Sequence, residues 1–166
     1  QKKVNELLVT KKKEKINLNK NIPILVKVSP DIDNKEISKI SEVLLNNNIQ
    51  AIIISNTSDS TRDELKNIQS HQKGGLSGKP IEQIASILIN KFYRILDGRI
   101  KIIGVGGVDS GKSAYEKFLA GANYVQLYTG MVFRGPNIVN IIKKELKELL
   151  LKDGVKNFSE IVGKIK

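Results

Sequence analysis

Lys101-Ile102-Ile103-Gly104-Val105-Gly106-Gly107-Val108-Asp109-Ser110-Gly111 is the stretch on which the fold turns. Its first five residues are mostly apolar and β-branched, the composition of a strand buried on both faces. The glycines that follow let the main chain adopt positive φ and approach a ligand closely. Asp109 or Ser110 then stands where a helix N-cap belongs. The segment predicts strand, turn and helix in direct succession.

Three further runs share this character: Ile24-Leu25-Val26-Lys27-Val28, Ala51-Ile52-Ile53-Ile54-Ser55 and Tyr124-Val125-Gln126-Leu127-Tyr128. Helical spacing follows each. Ile37, Ile40, Val43 and Leu44 predict a helix over 34–46. Pro80 at a helix start, with Ile84, Ile87, Leu88 and Ile95, predicts one over 80–95. Ala114, Phe118 and Leu119 mark 110–120, and Ile138, Ile141, Ile142, Leu146 and Leu149 mark 137–151.

Strands alternating with helices imply βαβ units and a parallel sheet. A (β/α)8 barrel uses about 250 residues, or roughly 31 per unit. Four such units account for residues 1–166 as one partial domain, with a leading helix marked by Val4, Leu7 and Leu8. Half a barrel leaves two unpaired strand edges. Either another piece completes it, or the fold is an open doubly wound sheet. The chain opens at Gln1 in helical pattern, which reads as a cut inside a longer protein.

Composition narrows the function classes. The chain is 40% hydrophobic and 27% charged, ordinary for a globular domain. It has no cysteine and one histidine, His71, so a disulfide framework and a thiolate or histidine-rich metal site are excluded. No apolar run approaches the roughly 20 residues that span a bilayer. The net charge of +11 raises nucleic-acid binding as one alternative. The lysines are dispersed, however, and the dense cluster Lys11-Lys12-Lys13 with Lys15 reads as a solvated face. No nucleic-acid partner is expected.

Ligands of parallel α/β folds sit at the carboxyl ends of the strands, and the unusual residues of this sequence fall there. The turn at Gly106-Gly107 suits a phosphate, as do free N–H groups at the helix start behind it. Gly106, Gly111, Lys112 and Ser113 also match a P-loop, a second alternative. It ranks lower because the second and fourth strands end in Ser55-Asn56-Thr57 and Tyr128-Thr129-Gly130, without the carboxylate that holds magnesium. A hydroxyl and a glycine at Thr129-Gly130 make a second phosphate-suited turn on the next strand. Lys27 within an apolar run is costly to bury without an anion, so it reads either as an edge residue or as a cation pointing into a barrel mouth. Asn56 offers a donor and an acceptor to an amide–imide ring. The loop from Ser58 to Lys73, before Gly74-Gly75-Leu76-Ser77-Gly78-Lys79-Pro80, is long for a βα connection.

Taken in order, Leu25-Val26-Lys27-Val28-Ser29-Pro30-Asp31, Ile54-Ser55-Asn56-Thr57, Gly74 to Pro80, Ile103-Gly104-Val105-Gly106-Gly107-Val108, Val125-Gln126-Leu127-Tyr128-Thr129 and Phe133-Arg134-Gly135-Pro136 resemble the class 2, quinone-dependent dihydroorotate dehydrogenase family. The resemblance implies the C-terminal half of a (β/α)8 TIM barrel and an FMN enzyme that oxidises dihydroorotate to orotate in pyrimidine synthesis. It implies FMN contacts at Lys27, Ser55, Ser77, Gly78, Val105, Gly106, Gly107, Leu127, Tyr128 and Thr129, and substrate contacts at Asn56 and Thr57. Lys27 is then expected to stabilise the reduced flavin.

Ser55 stands where relatives often carry Thr, which keeps the hydroxyl. The resemblance places the catalytic base, a serine, in a loop before this chain. Ubiquinone access and the other half of the barrel are likewise expected from an N-terminal region, so the chain alone is expected to be inactive. A eukaryotic source would imply the mitochondrial inner membrane, with this segment itself soluble.

Overall fold

The computed structural model describes residues 23–60, 62 and 65–165. The expected leading helix and the Lys11–Lys13 cluster lie outside the described residues. Four strands form one parallel sheet in the order β1-β2-β3-β4: β1 Leu25–Val28, β2 Ala51–Ile54, β3 Lys101–Val105 and β4 Tyr124–Gln126. Spatial order equals chain order, so the sheet winds one way only. A doubly wound sheet reverses direction at a switch point, and none occurs here.

The helices are α1 Asn34–Asn46, α2 Glu82–Leu96, α3 Gly111–Ala120, the short α4 Thr129–Arg134, and α5 Ile138–Lys152. They pack in series, α1 on α2, α2 on α3, and α3 on α5. Local chemistry sets their limits. Asp33 and Glu36 form a capping box at the start of α1, worth about 1 kcal/mol. Pro80 sits in a 3-10 turn over Lys79–Ile81 that leads into α2, so the helix proper begins two residues later than the sequence pattern implied. Ser110, rather than Asp109, caps α3, its hydroxyl accepting from the Ser113 amide. β4 is shorter than expected because the chain turns at Leu127 and enters α4, an element the pattern did not announce.

Register and burial separate the two faces of the sheet. Ile52, Ile54, Ile102 and Gly104 are buried beneath the helices, where Ile37, Leu44, Leu88, Ile89, Phe92 and Leu96 complete one core cluster. A second cluster joins Val108, Ala114, Phe118, Ile138, Ile142 and Ile161 around α3 and α5. Lys27, Ile53 and Ile103 are register partners and share the opposite face, where they are exposed or only partly buried. Helices outside and an uncovered inner face are the geometry of a barrel segment. Both edge strands, β1 and β4, have one unpaired side within the described residues. No described helix is long and apolar enough to cross a membrane.

Candidate functional site

A cavity of about 460 Å³ opens at the carboxyl ends of the four strands. All twelve residues singled out from the sequence line it: Lys27 from β1; Ser55, Asn56 and Thr57 after β2; Ser77 and Gly78 before α2; Val105, Gly106 and Gly107 after β3; and Leu127, Tyr128 and Thr129 after β4. Its volume falls within the range of about 300–1,000 Å³ usual for small-molecule and cofactor sites. The wall also contains Lys79, Asp109, Phe133 and Arg134, which the sequence reading did not single out as binding residues.

The two glycine-hydroxyl turns converge. The Ser77 and Thr129 hydroxyls lie 2.9 Å apart. Gly78 has φ +78°, and a Cβ there would sit 2.8 Å from Thr129 Cγ2. A Cβ on Gly130 would meet the Val108 carbonyl oxygen at 2.7 Å, so the turns after β3 and β4 touch. Gly107, at φ +76°, lies directly on the first turn of α2: its Cβ would come 2.3 Å from Glu82 Cβ and 2.7 Å from Glu82 Cα. The crowding leaves Gly106 and Gly107 as a bare main-chain cradle on which only glycine fits.

The cations of the wall are held in place. Lys79 Nζ lies 2.6 Å from Glu82 Oε2, and that bond and its charge raise the lysine pKa above its ordinary value. Arg134 donates to the Asp109 carbonyl at 2.6 Å, tying α4 to the turn after β3. Lys27 is on β1, an edge strand among the described residues, where it is exposed and also lines the cavity.

Asp31, which follows β1, anchors the segment directly after Asn56-Thr57. Its carboxylate accepts from the Ser58 hydroxyl at 2.6 Å, the Ser60 hydroxyl at 2.7 Å and the Asp59 amide at 2.8 Å. Burial pushes the Asp31 carboxyl up, but these three bonds together outweigh it and hold the group below its ordinary value. His71 is exposed on the long loop. Arg62 braces that loop by donating to the carbonyls of Ser70, Gln72 and Gly74.

One expectation is corrected. Two of the N–H groups at the start of α3 are taken up within the protein. The Gly111 amide donates to Glu145 Oε2 of α5 at 2.5 Å, and the Ser113 amide donates to the Ser110 hydroxyl at 3.2 Å. A protein carboxylate already occupies the positive end of that helix. The P-loop alternative loses its geometry as well: Lys112 is exposed and faces Glu116 at 3.9 Å, and Ser113 is spent on the cap. Among the described residues no group of three or more His, Cys, Asp or Glu side chains could hold a metal.

Comparison with known proteins identifies the lineage of this arrangement. The sequence profile described as dihydroorotate dehydrogenase matches residues 1–150. A protein of Azorhizobium caulinodans named dihydroorotate dehydrogenase (quinone) is 40% identical over 141 residues, covering 85% of this chain and 40% of the relative. A protein of Arabidopsis thaliana named dihydroorotate dehydrogenase (quinone), mitochondrial, is 42% identical over 142 residues, covering 85% of this chain and 31% of the relative. The crystal structure of a ligand-free DHODH from Eimeria tenella superposes with a TM-score of 0.82 at 32% identity, over 84% of this chain and 39% of that one. The chain belongs to the dihydroorotate dehydrogenase family. Its four-stranded sheet is part of a (β/α)8 barrel. It spans between about a third and two-fifths of these relatives' lengths.

Proposed function

We propose that the chain forms the flavin-binding half of a barrel that oxidises dihydroorotate to orotate, with a quinone as electron acceptor, in pyrimidine synthesis. The observation that carries this reading is the convergence of both glycine-hydroxyl turns and Lys27 on one cavity. The residues fit flavin mononucleotide. The cradle at Gly106 and Gly107, closed on its other side by Ser77, Gly78 and Thr129, suits a phosphate, because main-chain N–H and hydroxyl donors satisfy its oxygens without a bulky side chain between. Val105, Leu127 and Tyr128 give the apolar lining that a ribityl chain and ring require.

Bound flavin mononucleotide supplies the two-electron acceptor for the oxidation. The chain's residues do the rest by position and charge. Lys27 is a cation at the cavity mouth, on the same sheet face as Ile53 and Ile103, and stabilises negative charge that develops beside it. Asn56 and Thr57 present an amide and a hydroxyl to the ring edges of dihydroorotate, and Asp31 holds that turn. Ser55 is buried against β3, its amide donating to the Val105 carbonyl at 3.1 Å, and it closes the cavity floor toward the flavin. The proton acceptor and the quinone path are assigned to the remainder of the barrel, which meets this chain along the open edges of β1 and β4. An apolar groove beside β4, floored by Phe118, Val125, Leu127, Ile142, Leu146 and Leu150, suits an amphipathic helix of that remainder. A mitochondrial setting, as in the Arabidopsis relative's name, belongs to the same proposal.

The test is flavin retention. Protein purified as the complete barrel should be yellow and release flavin mononucleotide on denaturation. A colourless preparation that takes up no added flavin overturns the reading.

A further inference from the structure

Lys117 is completely buried, yet it carries an ammonium. Its chain crosses from α3 to the first turn of α2, where Nζ donates to the Glu82 carbonyl at 2.7 Å and to the Ser86 hydroxyl at 2.7 Å. Among the described residues no carboxylate bonds it directly, so the buried charge is held by neutral acceptors and by the field of nearby groups. Those groups are Glu82 and Lys79 from the α2 side and Glu116 from α3 itself. A buried lysine of this kind costs folding energy, and two apolar helices would pack without it.

Its placement gives it a task. Glu82, which Lys117 holds from behind, is the residue on which Gly107 rests. The Glu82 carboxylate faces the other way and pairs with Lys79, which lines the cavity. Lys117, Glu82 and Lys79 thus form a row of plus, minus and plus behind the glycine cradle. Glu116 of α3 and Asp109 of the turn after β3 add negative charge beside this row, so Lys117 supplies one positive charge among several carboxylates. Without it that charge is lost, and the first turn of α2 loses its tether to α3.

We infer that Lys117 is a positioning residue for the phosphate end of the cavity, fixing the Glu82 turn under Gly107 and contributing one positive charge behind the cradle. The inference rests on the flavin reading of the cavity. It extends the site to a residue that never touches the ligand. Burial holds the Lys117 pKa down to about 8, with Glu82 and Glu116 opposing the fall and Lys79 adding to it, so the charge of Lys117 weakens above that pH.

The experiment compares flavin mononucleotide with riboflavin, which lacks the phosphate, on the apo form of the complete barrel. Fluorescence titration gives both dissociation constants for wild type, Lys117→Met and Ser86→Ala. Ser86→Ala removes one acceptor and keeps the Glu82 tether, so it remains testable if Lys117→Met folds poorly. Lys117→Met is expected to weaken flavin mononucleotide about tenfold while changing riboflavin little, because the cradle loses its support and the phosphate loses one nearby positive charge. Ser86→Ala is expected to lower the preference by a smaller factor, about twofold to threefold. At pH 9 the wild-type preference should also fall toward that of Lys117→Met, which should itself be flat with pH. An unchanged ratio of the two constants in both variants overturns the role of Lys117, even if both proteins lose stability. A wild type that binds neither compound overturns the flavin reading instead.

Discussion

The hydroxyl oxygens of Ser77 and Thr129 lie 2.9 Å apart although the residues are 52 positions apart in the chain. Their contact closes one side of the cavity and joins the approach to α2 to the end of β4. Thr129→Val keeps the shape and removes the hydroxyl. It is expected to weaken flavin mononucleotide about tenfold, the worth of one bond to a charged group. A titration following flavin fluorescence measures it, and an unchanged constant would remove Thr129 from the site.

Gly107 is the most sensitive backbone position of the cradle. Gly107→Ala places a methyl 2.3 Å from Glu82 Cβ at a φ of +76°, and both strain and overlap push the turn away from α2. Gly107→Asp adds a carboxylate beside the phosphate. Both variants should purify without flavin, and full occupancy in Gly107→Asp would sink the cradle assignment.

Lys27 and Lys112 separate the two chemistries that the sequence allowed. Lys27→Ala is expected to slow flavin reduction in the complete enzyme by about a hundredfold or more, the scale of removing one preorganised electrostatic group. Lys112→Ala removes an exposed side chain and should leave the rate unchanged. Stopped-flow reduction under anaerobic conditions reads both, and the reverse pattern would restore the nucleotide-binding alternative.

Glu145 caps α3 from α5, so Glu145→Gln should lower stability without changing flavin affinity. The expected loss is about 0.5–1 kcal/mol, from the charge at a helix N-terminus. Chemical denaturation with a parallel flavin titration tests it; a large fall in flavin affinity would place the phosphate at α3 after all.

Stability should rise with pH at the alkaline end. The folded-state pKa of Lys117 is lowered to about 8 by burial, against an ordinary value of 10.5. Below the lower value both states hold the proton, and the folded state bears the cost of the buried charge. Between the two values the folded state has released its proton and the unfolded chain has not, so the equilibrium moves toward the folded form as pH increases. The melting temperature of the wild type should therefore gain on that of Lys117→Met between pH 8 and pH 10. A constant difference across that range contradicts it.

Much of this protein was legible in its sequence for a local reason. Strands, helices and caps depend on residues within a few positions of one another, and Ser110 and Pro80 act over a single turn. The glycine turns were legible too, because positive φ restricts the residue on the spot. Recognisable runs at Lys27, Ser55-Asn56-Thr57, Gly78 and Gly106-Gly107 then placed all twelve selected residues around one cavity.

Only the tertiary structure decided what depended on distant partners. The start of α3 read as an anion site until Glu145, 34 residues away, proved to occupy it. Lys117 looked like any lysine on an amphipathic helix. Its burial follows from the packing of α3 against α2, and its partner Glu82 is 35 residues distant. The short helix α4 gave no periodic signal, since six residues make under two turns. Sequence pattern fixes conformations set by neighbouring residues. Which polar group meets which across the fold is set by packing, and here packing gave the Gly111 amide at the start of α3 to Glu145.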